Sequence, residues 1–198
     1  MTSKLTVTRI LIGINVVAYL IMSQISPGSR MDPFSLYLPE HPKFEVWQYL
    51  TSIFMHGNTG HLLMNMIGLY MFGEVLERMW GAKRFIMFFL ATGLGAGLIY
   101  SAVTTWEVNT AMDQLVQQGF DRAALEQSLG IENGNQAIRS MYQSASRQAR
   151  NVDIQELADL YVTFDAPVVG ASGALYGILT AFGLLFPNAK LALIFFPV

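Results

Sequence analysis

The chain has 198 residues, of which 53% are apolar and only 13% charged, with a formal net charge of −2 and no cysteine. That balance offers no basic patch for nucleic acid, and the absence of thiols excludes disulfides, thiolate metal ligands and cysteine catalysis. The charges are confined to a few places, leaving charge-free windows at 10–29, 46–73, 85–106 and 166–189. Each window is long enough for a bilayer, which takes roughly 20 residues to cross.

The composition therefore predicts an all-α, polytopic transmembrane helix bundle. Lys4 and Arg9 lead into the first apolar run, but Ser23-Gln24-Ile25-Ser26 lacks a small-x-small cleavage site. An uncleaved first helix from about Thr8 to Ile25 follows, ended by Pro27-Gly28. The outer loop 26–46 sets Pro33, Pro39 and Pro42 among Phe34, Tyr37 and Phe44, with Trp47 and Tyr49 just beyond. Such a loop suits the membrane interface.

A second span is expected from about His61 to Leu76, and a third from Phe85 to about Val103. Residues 1–105 thus form transmembrane helices 1–3 with the outer loop 26–46. Residues 106–165 differ in kind, with nine acidic and four basic side chains. Asp121 is placed to cap a helix Arg122–Leu129 that stops at Gly130. Asn133-Gly134-Asn135 marks a break before a helix to about Arg150, and Asp153 caps Ile154–Val162. This soluble helical insertion is too polar to cross a membrane and, by size, too small for a deep core of its own. Residues 166–198 complete the membrane part: a fourth span from about Val168 to Phe186, a turn at Pro187-Asn188, and in Leu191–Val198 the opening of a fifth.

Short segments rich in Lys and Arg (Lys4, Arg9, Arg78, Lys83, Arg84, Lys190) should face the cytoplasm. The acidic insertion then lies outside, and the N-termini of the second and fourth helices share the outer level.

Those two helix ends carry the polar residues of interest. Gly170-Ala171-Ser172-Gly173 opens the fourth span, where a helix N-terminus leaves N–H groups unpaired beside a serine. Acyl transfer to a serine needs such donors for its oxyanion. Packing is the competing reading, because Gly173, Gly177 and Ala181 make a stripe of small residues. On the second span His61 and Asn65 lie four apart and share a helix face. They can serve an oxyanion or simply bond one helix to another. His56 and His61 lack a His-Glu-x-x-His frame or thiolates, so neither a metal nor another cofactor is called for.

Taken together, these pieces resemble the rhomboid family of intramembrane serine proteases, over the whole chain apart from 106–165. Gly170-Ala171-Ser172-Gly173 matches the family's Gly-x-Ser-Gly, and His61-Leu62-Leu63-Met64-Asn65 its His-x-x-x-Asn. His56 matches a second family histidine. Gly73-Glu74…Glu77-Arg78…Gly81…Arg84-Phe85 matches the stretch after the second helix.

The resemblance implies a six-helix bundle in which Ser172 is the nucleophile, and the Ser172 N–H, His61 and Asn65 stabilise the oxyanion. Gly170, Gly173 and Tyr176 have supporting roles, and Tyr176 matches the aromatic that packs on the catalytic histidine. Trp47-Gln48 stands where many members have Trp-Arg. The family's base is a histidine on the sixth helix, and His41, His56 and His61 all precede Ser172. The catalytic base is thus expected beyond residue 198, and residues 1–198 alone are expected to be inactive. The expected partners are transmembrane protein substrates and the lipid bilayer, in a bacterial cytoplasmic membrane, with the N-terminus cytoplasmic and the active site near the outer face. A proteolytically inactive relative that binds transmembrane helices is the alternative.

Overall fold

A computed structural model describes residues 6–25, 33–145 and 153–189, with the backbone of Ala192–Leu193 and Phe196–Pro197. Lys4, Pro27-Gly28, Arg147, Arg150 and Lys190 lie outside the described residues. The helices are α1 (Val7–Ile25), α2 (Gln48–Thr51, continued by a 3-10 turn Ser52–Phe54), α3 (Thr59–Gly68), α4 (Glu74–Trp80), α5 (Ala82–Gln117), α6 (Arg122–Leu129), α7 (Gly134–Ser144), α8 (Ile154–Asp165) and α9 (Ser172–Leu185). A π turn, Leu69–Gly73, joins α3 to α4, so 59–80 is helical throughout. Among the described residues, α1 and α5 are long and apolar enough to cross a membrane, and α9 is a shorter apolar helix. The chain divides into two compact units.

The first unit comprises 1–28, 52–96 and 169–198. Its buried core runs through Leu11, Leu62, Met66, Leu69, Phe85, Phe89 and Ile178. Thr8, Leu11 and Asn15 are the buried residues of α1, spaced to form one stripe. The N-terminus of α1 is capped by a side chain from far along the chain. The Glu77 carboxylate accepts from Val7 N and Thr8 N, both at 2.8 Å, and from Thr8 Oγ1 at 2.7 Å. Those are donors that a helix start leaves without an intrahelical partner. Glu74 receives Arg9 Nε at 2.7 Å and Arg78 at 3.1 Å. Gly81, at φ +78°, makes the left-handed turn between α4 and α5. The Gly73-Glu74…Glu77-Arg78…Gly81 stretch is therefore a seam that binds α1 to α4.

The second unit comprises 29–51 and 97–168. Asp121, Asn133 and Asp153 cap α6, α7 and α8 through Ala124 N, Gln136 N and Gln155 N, and Gly130 ends α6. Two findings differ from expectation. The third helix runs to Gln117 instead of ending near Val103, because loss of apolar character does not break a helix that contains no Gly or Pro between residues 98 and 117. It ends in a Schellman motif: Gly119 at φ +102°, Phe120 N bonded to Leu115 O and Gly119 N to Val116 O.

Nor are the short helices without a core. Leu125, Leu129, Met141, Leu157, Leu160 and Phe164 are buried with Val108, Met112 and Leu115 of α5 and with Leu38. The second half of α5 and the outer loop supply the wall that 118–165 lacks. Gln48 organises that loop from a buried position, donating to Lys43 O (2.8 Å) and Pro33 O (3.3 Å) and accepting from Tyr37 N (3.2 Å).

The chain's last described residues also differ from expectation. Ala192–Leu193 and Phe196–Pro197 pair antiparallel where the opening of a helix is expected.

Candidate active site

The site lies wholly within the first unit. Helix α3 is fixed at its start by Asn58, whose side chain accepts from His61 N at 2.8 Å. This cap places His61 in the first turn and Asn65 one turn on, along one face. Asn65 is only 5% exposed. Its Nδ2 lies 3.0 Å from His56 Nε2. The rings of His56 and His61 meet edge to face, with centroids 5.1 Å apart.

Opposite this group runs the segment that leads into α9. Gly170 has φ +122°, and its N–H donates to Ser52 O at 2.9 Å. A Cβ added there would lie 2.6 Å from His61 Cε1, 2.7 Å from His61 Nε2 and 3.5 Å from Asn65 Nδ2. Both the dihedral and the close approach demand glycine. Helix α9 begins at Ser172. Its first residue therefore stands two positions after a backbone pressed against His61 and Asn65.

Gly173 and Gly177 have a second function that is purely steric. A Cβ at Gly177 would come within 2.6 Å of Thr92 Cβ, and one at Gly173 would strike Ala96 Cβ. Both glycines of the α9 stripe thus lie against α5, as the packing reading of the stripe expects. The contact carries packing for the reason that small-residue helix pairs do.

The structure brings together His56, His61, Asn65, Gly170 and the start of α9. It does not bring Tyr176 to a histidine, and that residue is 70% exposed. Among the described residues Ser172 Oγ has no hydrogen bond to His56 or His61. Sequence reasoning missed Ser52, whose carbonyl pins Gly170, and the cap by Asn58. An Asn three residues before the histidine was the available signal for the cap. His41 lies in the second unit, stacked on Tyr37 at 4.5 Å, with Nε2 3.3 Å from Asp165 Oδ1. Burial lowers its pKa below the usual histidine range, although Asp165 opposes that.

The chain is largely helical, with two helices long and apolar enough to cross a membrane, and its first unit seats a histidine–asparagine pair against the loop before a helix-initiating serine. Residues 43–110 match the Rhomboid domain. The chain is 35% identical over 95 residues to Rhomboid protease GlpG of Salmonella paratyphi A, covering 47% of this chain and 34% of that protein. GlpG of Salmonella typhi gives the same figures. RHOMBOID-like protein 12, mitochondrial, of Arabidopsis thaliana is 34% identical over 70 residues, 35% of this chain and 21% of that protein. Over the matched residues the chain is similar to the rhomboid family. The matched stretch spans about a third of the GlpG relatives' length. The Rhomboid domain match includes His56, His61 and Asn65, and Ser172 lies outside it. No solved structure matches.

Proposed function

We propose that this chain carries the nucleophile and oxyanion-binding parts of an intramembrane serine endopeptidase that cleaves membrane-anchored proteins near the outer membrane surface. The observation that carries the reading is the seating of Gly170 against His61 and Asn65 two residues before Ser172. In this reading the Ser172 hydroxyl attacks the scissile carbonyl. The carbonyl oxygen, as it becomes an oxyanion, receives the Ser172 backbone N–H and donors from Asn65 and His61. Gly170 allows the approach, Gly173 seats the helix, and Tyr176 offers its open face to the group that takes the serine proton. Among the described residues none of the three histidines bonds to Ser172, which leaves the group that takes its proton unassigned.

In the same reading the polar segment 106–165 lies outside the bilayer. At 1.5 Å per residue α5 is about 54 Å long, against a hydrocarbon core of about 30 Å, so much of it projects into water.

The test is labelling of the full-length protein with a serine-directed phosphonate or isocoumarin. Ser172→Ala should abolish both labelling and cleavage of a transmembrane substrate. Labelling that survives the substitution assigns the nucleophile elsewhere.

A further inference from the structure

His56 touches both proposed oxyanion donors and has no part in the chemistry assigned so far. The Asn65 Nδ2 that lies 3.0 Å from His56 Nε2 is an amide nitrogen and can only donate. His56 Nε2 must therefore be the acceptor, which makes the ring neutral with its proton on Nδ1. That Nδ1 is buried and, among the described residues, has no hydrogen-bond partner, which leaves the Nε2 contact to Asn65 as the ring's hydrogen bond.

An amide NH2 carries two hydrogens in a fixed plane. Committing one of them to His56 fixes the direction of the other. The same Nδ2 is 3.5 Å from the empty Cβ position of Gly170, on the side of the loop that enters α9. The edge-to-face contact at 5.1 Å sets the His61 ring as well. We infer that His56 is the positioning residue of the oxyanion site: its neutral Nε2 holds the Asn65 amide so that the second N–H is presented at the start of α9.

The physical reason is rotational freedom. Without an acceptor, the Asn65 amide is free to turn about its last torsion, whose wells are broad. A donor aimed before the reaction costs no reorganisation in the transition state, and a misplacement of about 1 Å costs about a hundredfold. An imidazolium at His56 would set N–H against N–H, so only the neutral ring serves.

The inference rests on the reading of Asn65 as an oxyanion donor, and its test separates the two. In the full-length protein, His56→Phe keeps a ring but loses the acceptor, whereas His56→Gln restores an acceptor oxygen. His56→Phe should lower kcat about tenfold to a hundredfold with KM unchanged, and His56→Gln should recover most of the loss. In an Asn65→Ala background, His56→Phe should cost nothing further. The Asn65 side-chain amide resonance should move upfield in His56→Phe and return in His56→Gln, whether or not the protein cleaves. Additive kcat losses in the two backgrounds, or an Asn65 amide signal indifferent to His56, would overturn the positioning role. Failure of Asn65→Ala to slow turnover, with the amide signal still tied to His56, would strike the oxyanion reading and leave the hydrogen bond standing.

Discussion

Both units bury large apolar side chains, but the emphasis at their key positions differs. In the first, the decisive positions are those where a side chain is missing. Gly170 admits His61, Gly177 admits Thr92, Gly173 admits Ala96, and a Cβ at Gly93 would lie 2.7 Å from Ile53 Cδ1. In the second, they are positions where a large side chain is present: Leu125, Met141 and Leu157 are fully buried. The difference fits the surroundings proposed for each, lipid for the first unit and water for the second. Lipid gives apolar side chains no reason to leave it, so helices there associate by close backbone packing and polar contacts. Water drives apolar side chains together, and helices in water also need caps, which Asp121, Asn133 and Asp153 supply.

The comparison is broken most directly by adding one methyl group to the first unit. Gly170→Ala places a Cβ at φ +122° and 2.6 Å from His61. Either the ring or the loop before Ser172 must shift, and the left-handed dihedral is strained in any case. Cleavage should fall by at least the 10²–10³ expected for losing one oxyanion donor, and phosphonate labelling of Ser172 should fall with it. Activity within about twofold of wild type would show that the Gly170 contact is not part of the site.

Removing methyl groups is the corresponding experiment in the second unit. Leu125→Ala deletes three buried carbons from a side chain with no exposed surface. The loss should be about 2–5 kcal/mol, read as faster hydrogen exchange in 122–144. A change below about 1 kcal/mol would mean that the cluster around Leu125 collapses to fill the space.

The same contrast explains what was legible in the sequence. Helix caps are local, so Asp121 with Gly130, Asn133 and Asp153 could be placed from their neighbours alone. His61 and Asn65 were legible because a spacing of four fixes a shared face. Features that depend on distant partners were not. The stripe on α9 is met by Thr92 and Ala96, partners far along the chain that nothing local to the stripe identifies. The length of α5 was hidden because its apolarity fades before its helicity does. The turn Gly119-Phe120, with Phe120 buried alongside Leu115, was the overlooked stop. Gln48, where many family members have arginine, gave no hint that its amide would tie together Pro33, Tyr37 and Lys43.

The smallest expected effect concerns the outer loop, where a polar group holds the second unit in place of another apolar one. His41 is buried between Tyr37, at 4.5 Å, and Phe164, at 5.0 Å. Its Nδ1 accepts from Lys43 N at 3.1 Å, so Nε2 carries the proton and donates to Asp165 Oδ1 at 3.3 Å. A second proton at Nδ1 would break the Lys43 hydrogen bond and charge a buried ring beside the Lys43 cation. Asp165 alone opposes this, and burial prevails, so the folded-state pKa is lowered. For a group depressed on folding, the unfolded chain binds the proton more readily. Stability is therefore full above the unfolded value near 6.5 and declines as pH falls through it toward the folded value. Protection factors in 33–44 and 154–165, with the intrinsic pH dependence of exchange divided out, should fall between pH 7.5 and about 5, and His41→Phe, which keeps the ring stack, should flatten that dependence. Protection that rises on acidification in the wild type would mean that the His41–Asp165 ion pair outweighs burial.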